Sequence, residues 1–183
     1  MFALTRGRAN LDPYPLLRMA GVGLGSRYVD LGCGGTGHFL FPAAHLCGEE
    51  GWCCGVEVDL RPLEHLHREI CRRNQSNVRV VRGDAERLGG VPIADGTADV
   101  ISVVHIMDGL SQPQQAFSEW RRLLGARGKL LVVEWNPRGR AMMMQGLERA
   151  RKGLEGLGDR GFELVGVLPA GRYHEAFLFE RVF

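Results

Sequence analysis

The chain has 183 residues, of which 45% are hydrophobic and 24% charged, and its net charge is +2. That length and apolar fraction suffice for one full core, so a single domain over residues 1–183 is expected. The balance lacks the strong basic bias of a dedicated nucleic-acid binder, and the arginines (Arg6, Arg8, Arg18, Arg72, Arg73, Arg121, Arg122, Arg138, Arg140) are dispersed as on solvated helix faces, so no nucleic-acid partner is expected.

Asp12 and Pro13 mark a helix entry, with Tyr14, Leu17 and Ala20 facing inward and Gly21 to Gly25 ending the helix. This N-terminal helical segment, residues 1–26, precedes the core, residues 27–183. Arg27 to Leu31 reads as the first strand, and Thr36 to Cys47 as a helix with Pro42 near its start. Trp52 to Val58 is almost uninterruptedly apolar, as for a strand covered on both faces. Asp59 and Pro62 open a helix carrying Leu63, Leu66 and Ile70 on one face. Val78 to Val81 is a short strand, Gly83 to Thr97 a long polar connection, and Ala98 to Val104 a buried strand. Pro113 to Leu124 is a helix whose exit is flanked by Gly125 and Gly128. Lys129 to Trp135 is a strand, Ala141 to Leu157 helical, Phe162 to Val167 extended, and His174 to Arg181 a last strand. Alternating strands and helices argue for an α/β fold, a mostly parallel sheet covered on both faces.

Cys33, Cys47, Cys53, Cys54 and Cys71 show no metal-ligand spacing, nor do His38, His45, His65 and His67, so no metal is expected. The odd cysteine count points to a reducing compartment. Met1 to Asn10 lacks an apolar signal core, and no apolar run approaches about 18 residues. A cytoplasmic location and no membrane contact are therefore expected.

The most informative stretch is Asp30-Leu31-Gly32-Cys33-Gly34-Gly35-Thr36-Gly37, placed between a strand and a helix. Glycines let a backbone approach a bound group closely, and a helix start offers free N–H groups to an anion. Dinucleotide redox chemistry and S-adenosylmethionine binding both use such a turn. The acid two residues before the first glycine favours the second.

Several further pieces follow in a fixed order: Pro42-Ala43-Ala44, Gly55-Val56-Glu57-Val58-Asp59, Gly83-Asp84-Ala85-Glu86, Asp99-Val100-Ile101, Leu123-Leu124 with Gly128-Lys129-Leu130, and Tyr173-His174. With the glycine turn, they make the chain resemble a class I S-adenosylmethionine-dependent methyltransferase over roughly Leu11 to Glu180, near the small bacterial proteins related to the quinone-biosynthesis C-methyltransferases. The resemblance implies a Rossmann-like, doubly wound sheet of seven strands, the last antiparallel and inserted beside the fifth. It implies S-adenosylmethionine as cofactor and methyl transfer as activity.

Residue by residue, the resemblance places the ribose-binding acid on Glu57 and an adenine-binding acid on Asp84, with the backbone N–H of Ala85 meeting the ring. It places the methionine amino group at Asp30. Gly32, Cys33, Gly34, Gly37, Val58 and Val104 complete the expected cofactor contacts. In one respect the chain departs from the family pattern: Thr36 stands at the third glycine position and Gly37 comes one residue late. The result also fits a dinucleotide fingerprint, Gly32-x-Gly34-x-x-Gly37 with Glu57 following 20 residues after Gly37. An NAD(P)-binding oxidoreductase is thus one alternative, and a non-catalytic S-adenosylmethionine-binding module another.

His105 follows the fourth strand at the crevice edge where ligands sit in such sheets, and a histidine of near-neutral pKa suits removal of a proton from an O or N acceptor. Asp108, three residues on, is a candidate to orient or share that role. Glu134 to Pro137 falls on the segment that often lines the substrate side in the family. Met142-Met143-Met144 reads first as core filling, and His174 as a structural histidine. Little chain is free to recognise an acceptor. The acceptor expected is a small molecule, and a site completed by a second copy, a homodimer, is also compatible.

Overall fold

The computed structural model describes residues 11–136 and 152–182, and everything below concerns these. The expected helix over Ala141 to Leu157 falls partly outside them, with residues 152–158 helical; Met142, Met143, Met144 and Pro137 lie outside.

Seven strands form one sheet: β1 (Arg27–Leu31), β2 (Trp52–Glu57), β3 (Val78–Arg82), β4 (Ala98–Val104), β5 (Leu124–Trp135), β6 (Phe162–Pro169) and β7 (His174–Arg181), in the order β3-β2-β1-β4-β5-β7-β6. The pairs among β1 to β5 are parallel, whereas β7 runs antiparallel between β5 and β6. This is the expected architecture. Besides the helical residues 152–158, the α-helices are α1 (Pro13–Met19), α2 (Leu40–Cys47), α3 (Leu60–Arg72) and α4 (Pro113–Leu123).

Alternation along each strand builds two cores. One face carries Leu131 and Val133 against Leu16, Leu17, Leu40 and Leu66 of α1, α2 and α3. The other carries Ile101 and Leu130 against Phe117 and Trp120 of α4 and Leu157.

Three local expectations need correction. The helix expected from Thr36 starts only at Leu40, because the glycine turn continues through Phe39 and the first helical bond runs from Phe41 N–H to Gly37 O, 3.1 Å. Tyr14 is exposed, and Leu16 and Leu17 fill the inward face of α1; the ring of Tyr14 packs edge-on to His45 instead. β5 begins five residues before Lys129, because Leu124 pairs with Ala98 across a bulge.

The long polar connection after β3 is held by side chains of α4. Glu119, fully buried, accepts N–H bonds from Gly89 (2.7 Å) and Val91 (2.9 Å). Arg122 pairs with Glu119 and donates to the carbonyls of Val91 and Ile93 at 2.9 and 2.8 Å. Trp120 Nε1 donates to Ala85 O at 3.0 Å. An irregular backbone is thereby satisfied and fixed beside the end of β3.

Candidate cofactor and acceptor site

The chain leaves β1 toward β2 on one side and returns to β4 on the other, so a crevice opens at the carboxyl ends of β1 and β4. The glycine turn follows β1 there. Gly32 and Gly34 have φ of 70° and 58°, a region costly for side-chain-bearing residues. Gly32 N–H and Cys33 N–H both bond to Val56 O, at 2.9 and 3.1 Å, tying the turn to β2. A Cβ on Gly34 would meet nothing within 4 Å, so its outer side is open. Gly37 differs: a Cβ there would lie 2.9 Å from the Phe41 ring and 3.0 Å from Leu66. Its need for glycine is internal packing beneath α2, not an open approach to a ligand. Cys33 is buried in the same core, and burial pushes its thiol well up, so it is neutral.

Asp30, the next-to-last residue of β1, is almost fully buried. Ser102 Oγ, opposite it on β4, donates to Asp30 Oδ1 at 2.6 Å, and the Tyr28 hydroxyl bonds to the same Ser102 oxygen. Burial pushes the Asp30 carboxyl up to about 7, Ser102 holds it down, and Glu57 pushes it up.

Glu57 ends β2 with its carboxylate folded against the turn. Oε2 accepts from Gly34 N–H at 3.1 Å, and Oε1 from Val58 and Asp59 N–H at 2.9 and 3.2 Å. Asp59 sits at the cap position of α3 without a side-chain cap bond, so Glu57 does the local bonding that Asp59 was expected to do. Val58 is exposed beside it. Asp84, exposed, turns its Oδ1 onto Glu86 N–H at 2.9 Å, while Ala85 is held by Trp120. Val104 packs partly buried at the end of β4.

His105 follows with φ of 57°, unusual for a residue with a side chain. Its N–H bonds to Val133 O at 2.9 Å, which fixes this turn on β5. Its ring stacks on Trp135, with centroids 4.5 Å apart, and on His174 at 5.1 Å. Trp135 and His174 are register partners on β5 and β7 and their rings lie 4.4 Å apart. His105 Nε2 has no hydrogen-bond partner among the described residues. Burial, with the His174 and His38 imidazoles nearby, pushes His105 down to about 4, so the near-neutral base expected from sequence is not what the fold makes.

Asp108 is exposed and is not part of this stack. It lines a separate cleft with Phe117 of α4 and Gly156. Glu134 points inward: Oε1 accepts Met107 N–H at 2.9 Å, and burial, with Asp108, pushes its carboxyl up to about 7. It fastens the turn carrying His105. Tyr28, Ser102 and the inward side of Glu134 were not singled out from sequence. A serine between Ile101 and Val103, and a tyrosine before Val29, in strands that otherwise bury apolar residues, was the available signal.

The residues fit S-adenosylmethionine. A buried carboxyl on which no cationic side chain acts among the described residues, an open glycine approach and a fixed acid at the end of β2 lie along one crevice. Residues 29–132 match the family model described as a methyltransferase domain. The ubiquinone/menaquinone biosynthesis C-methyltransferase UbiE of Azotobacter vinelandii is 30% identical over 128 residues, 69% of this chain and 49% of that protein. The chain thus spans about half the length of the curated relatives it matches. Among solved structures, a SAM dependent methyltransferase from Aquifex aeolicus superposes with a TM-score of 0.84 at 22% identity, covering 98% of this chain and 94% of that one. The [4+2]-cyclase SpnF superposes with a TM-score of 0.76 at 18% identity, covering 93% of this chain and 79% of that one. The chain belongs to the family described as the methyltransferase domain.

Proposed function

We propose that the chain transfers a methyl group from S-adenosylmethionine to a small molecule held against the Trp135 face. The carrying observation is the crevice itself, where Asp30, the Gly32–Gly34 turn and the Glu57 carboxylate lie on adjoining strand ends, with the His105–Trp135–His174 stack at the ends of β4, β5 and β7. The cofactor when bound supplies an activated methyl group. Asp30 would bind its amino group, Glu57 its ribose and the Asp84–Ala85 turn its adenine. Trp135, 41% exposed, offers an aromatic face to a flat acceptor. His105, neutral at pH 7, would accept a hydrogen bond at its imidazole and orient the acceptor, since alignment supplies much of the rate in such a transfer. The curated relatives, of which this chain spans about half, are named for ubiquinone/menaquinone biosynthesis, which supports a small planar acceptor. A cytoplasmic location fits; no helix among the described residues is long and apolar enough to cross a membrane.

The test is a methyl-transfer screen with radiolabelled cofactor against small aromatic hydroxy compounds, preceded by calorimetry with S-adenosylhomocysteine and NADH. Binding of S-adenosylhomocysteine with transfer to one class of acceptor is expected. NADH binding without S-adenosylhomocysteine binding would overturn the reading. A second reading is a module that binds the cofactor without turnover; cofactor binding without transfer to any acceptor would support it.

A further inference from the structure

Ser102 is fully buried in β4, in register with Asp30 of β1. A hydroxyl in that position gives up water and must be repaid by hydrogen bonds. It has two partners. A serine has one hydrogen to give, and it goes to Asp30 Oδ1 at 2.6 Å; the Tyr28 hydroxyl, itself fully buried, then donates to Ser102. The order Tyr28, Ser102, Asp30 holds while Asp30 is ionised and can reverse when Asp30 is protonated. This arrangement engages one carboxylate oxygen, Oδ1, and does not use Oδ2.

We propose that Ser102 and Tyr28 are positioning residues that hold Asp30 for the cationic amino group of the cofactor's amino-acid portion and couple its binding to release of a proton from Asp30. The proposal rests on the cofactor reading above. The groups acting on Asp30 from the packed elements are Glu57 of β2, Tyr28 of β1 and Ser102 of β4, with the neutral thiols of Cys33 in the turn and Cys53 in β2 also facing it; no cation among the described residues does. Burial has already brought the Asp30 carboxyl to about 7, so it is divided between its two forms near neutral pH. A ligand ammonium binds the ionised form, and the lost proton leaves to solvent. Losing the Ser102 bond removes a contact that favours the ionised carboxylate.

Calorimetry of S-adenosylhomocysteine between pH 5.5 and 8, where its amino group stays protonated, tests this with wild type, Ser102→Ala and Tyr28→Phe. Methylthioadenosine, which lacks the amino-acid portion, is the control ligand. Wild-type affinity for S-adenosylhomocysteine is expected to rise by up to about tenfold per pH unit and then level off. Its binding heat near pH 6.5 should depend on the buffer, as proton release requires. Ser102→Ala should move the levelling-off to higher pH and weaken binding at pH 7 several-fold, with a smaller shift for Tyr28→Phe. Methylthioadenosine affinity should stay flat with pH and equal in all three proteins, which also certifies the fold. A flat wild-type profile, or equal losses for both ligands in Ser102→Ala, would overturn the relay while leaving the cofactor in place. A wild type that binds neither ligand would overturn the cofactor reading itself.

Discussion

The Glu57 carboxylate accepts the Gly34 N–H at 3.1 Å, so the acid ending β2 and the glycine turn after β1 form one unit. This bond between residues 23 apart adds to the two that Gly32 and Cys33 N–H donate to Val56 O. Together with the N–H groups of Val58 and Asp59, three backbone donors fix the carboxylate before any ligand arrives. A preset acceptor loses little freedom on binding, which favours affinity.

Glu57→Ala should therefore cost more than contacts to ribose. It frees three N–H groups and releases the turn. Cofactor affinity should drop by a factor of ten or more, since charge-assisted bonds contribute about 1.5–3 kcal/mol. Glu57→Gln, which keeps one acceptor oxygen, should fall between. Calorimetry with S-adenosylhomocysteine reads both; unchanged affinity in folded Glu57→Ala would move the ribose elsewhere.

Gly34 and Gly37 have nearly the same φ, 58° and 57°, and should respond differently to alanine. Gly34→Ala has open space and pays only left-handed strain, about 1–2 kcal/mol of stability. It places a methyl on the side where the cofactor would approach, so its affinity loss should exceed its stability loss. Gly37→Ala adds a collision with Phe41 and Leu66, roughly 1–3 kcal/mol more. Thermal unfolding beside calorimetry separates the two; equal effects on both measures would refute the division.

Asp30→Asn exchanges function for stability. The native carboxyl is raised to about 7, so the folded state holds a proton that the unfolded chain releases near pH 4. The contribution of Asp30 to stability is full below pH 4 and is lost as pH rises through about 7. Glu134, also raised to about 7, has the same sign. His105 has the opposite one: lowered to about 4, it costs stability as pH falls from 6.5 toward 4. In thermal unfolding the asparagine variant should be more stable than wild type at pH 8 by on the order of 2–4 kcal/mol, a gap that shrinks to about 1 kcal/mol at pH 5 and closes below pH 4. A gap independent of pH would show that the carboxyl is not the cause. Saturating S-adenosylhomocysteine should stabilise wild type more at pH 8 than at pH 6.

Arg122 is 18% exposed at its side chain and pairs with Glu119, which is fully enclosed. Burial favours the neutral Glu119 acid, yet Arg122 and the N–H groups of Gly89 and Val91 hold its pKa below the usual value. Arg122→Ala would leave that charge with half its partners, a loss of about 3–5 kcal/mol. Because the same clamp holds the connection after Asp84 and Ala85, adenosine affinity should fall with it. Full stability in Arg122→Ala would show that the clamp is dispensable.

Strong patterning made most of the fold legible. Arg27 to Leu31, Ala98 to Val104 and His174 to Arg181 match their strands end for end, because burial on both faces leaves dense apolar sequence. Thr36 to Phe39 misled because residues after a glycine turn look helical whether or not the turn has finished. The acids Asp30 and Glu57 were visible from spacing. Ser102 was not, because its partner Asp30 is 72 residues away and only sheet order brings them together. The same holds for His105, Trp135 and His174, which three separate strand ends assemble into one stack.

His105 decides between alignment and proton transfer as the work of this stack. A base held near 4 is neutral through the working range, so its titration cannot shape a rate profile between pH 6 and 8. Any rise in single-turnover transfer within that window should come from Asp30, whose carboxyl is raised to about 7, and should vanish when rate is measured at saturating cofactor. His105→Ala then removes an orienting imidazole, one face of the support behind Trp135 and an unusual backbone position whose φ is 57°. Transfer should slow by about tenfold to a hundredfold through lost positioning, with the acceptor's KM rising and cofactor affinity unchanged. His105→Asn, which tolerates the left-handed backbone better and keeps an acceptor atom, should recover part of the rate. A profile at saturating cofactor that rises between pH 6 and 8 in wild type and flattens in His105→Ala would instead make His105 a titrating base and sink the alignment role.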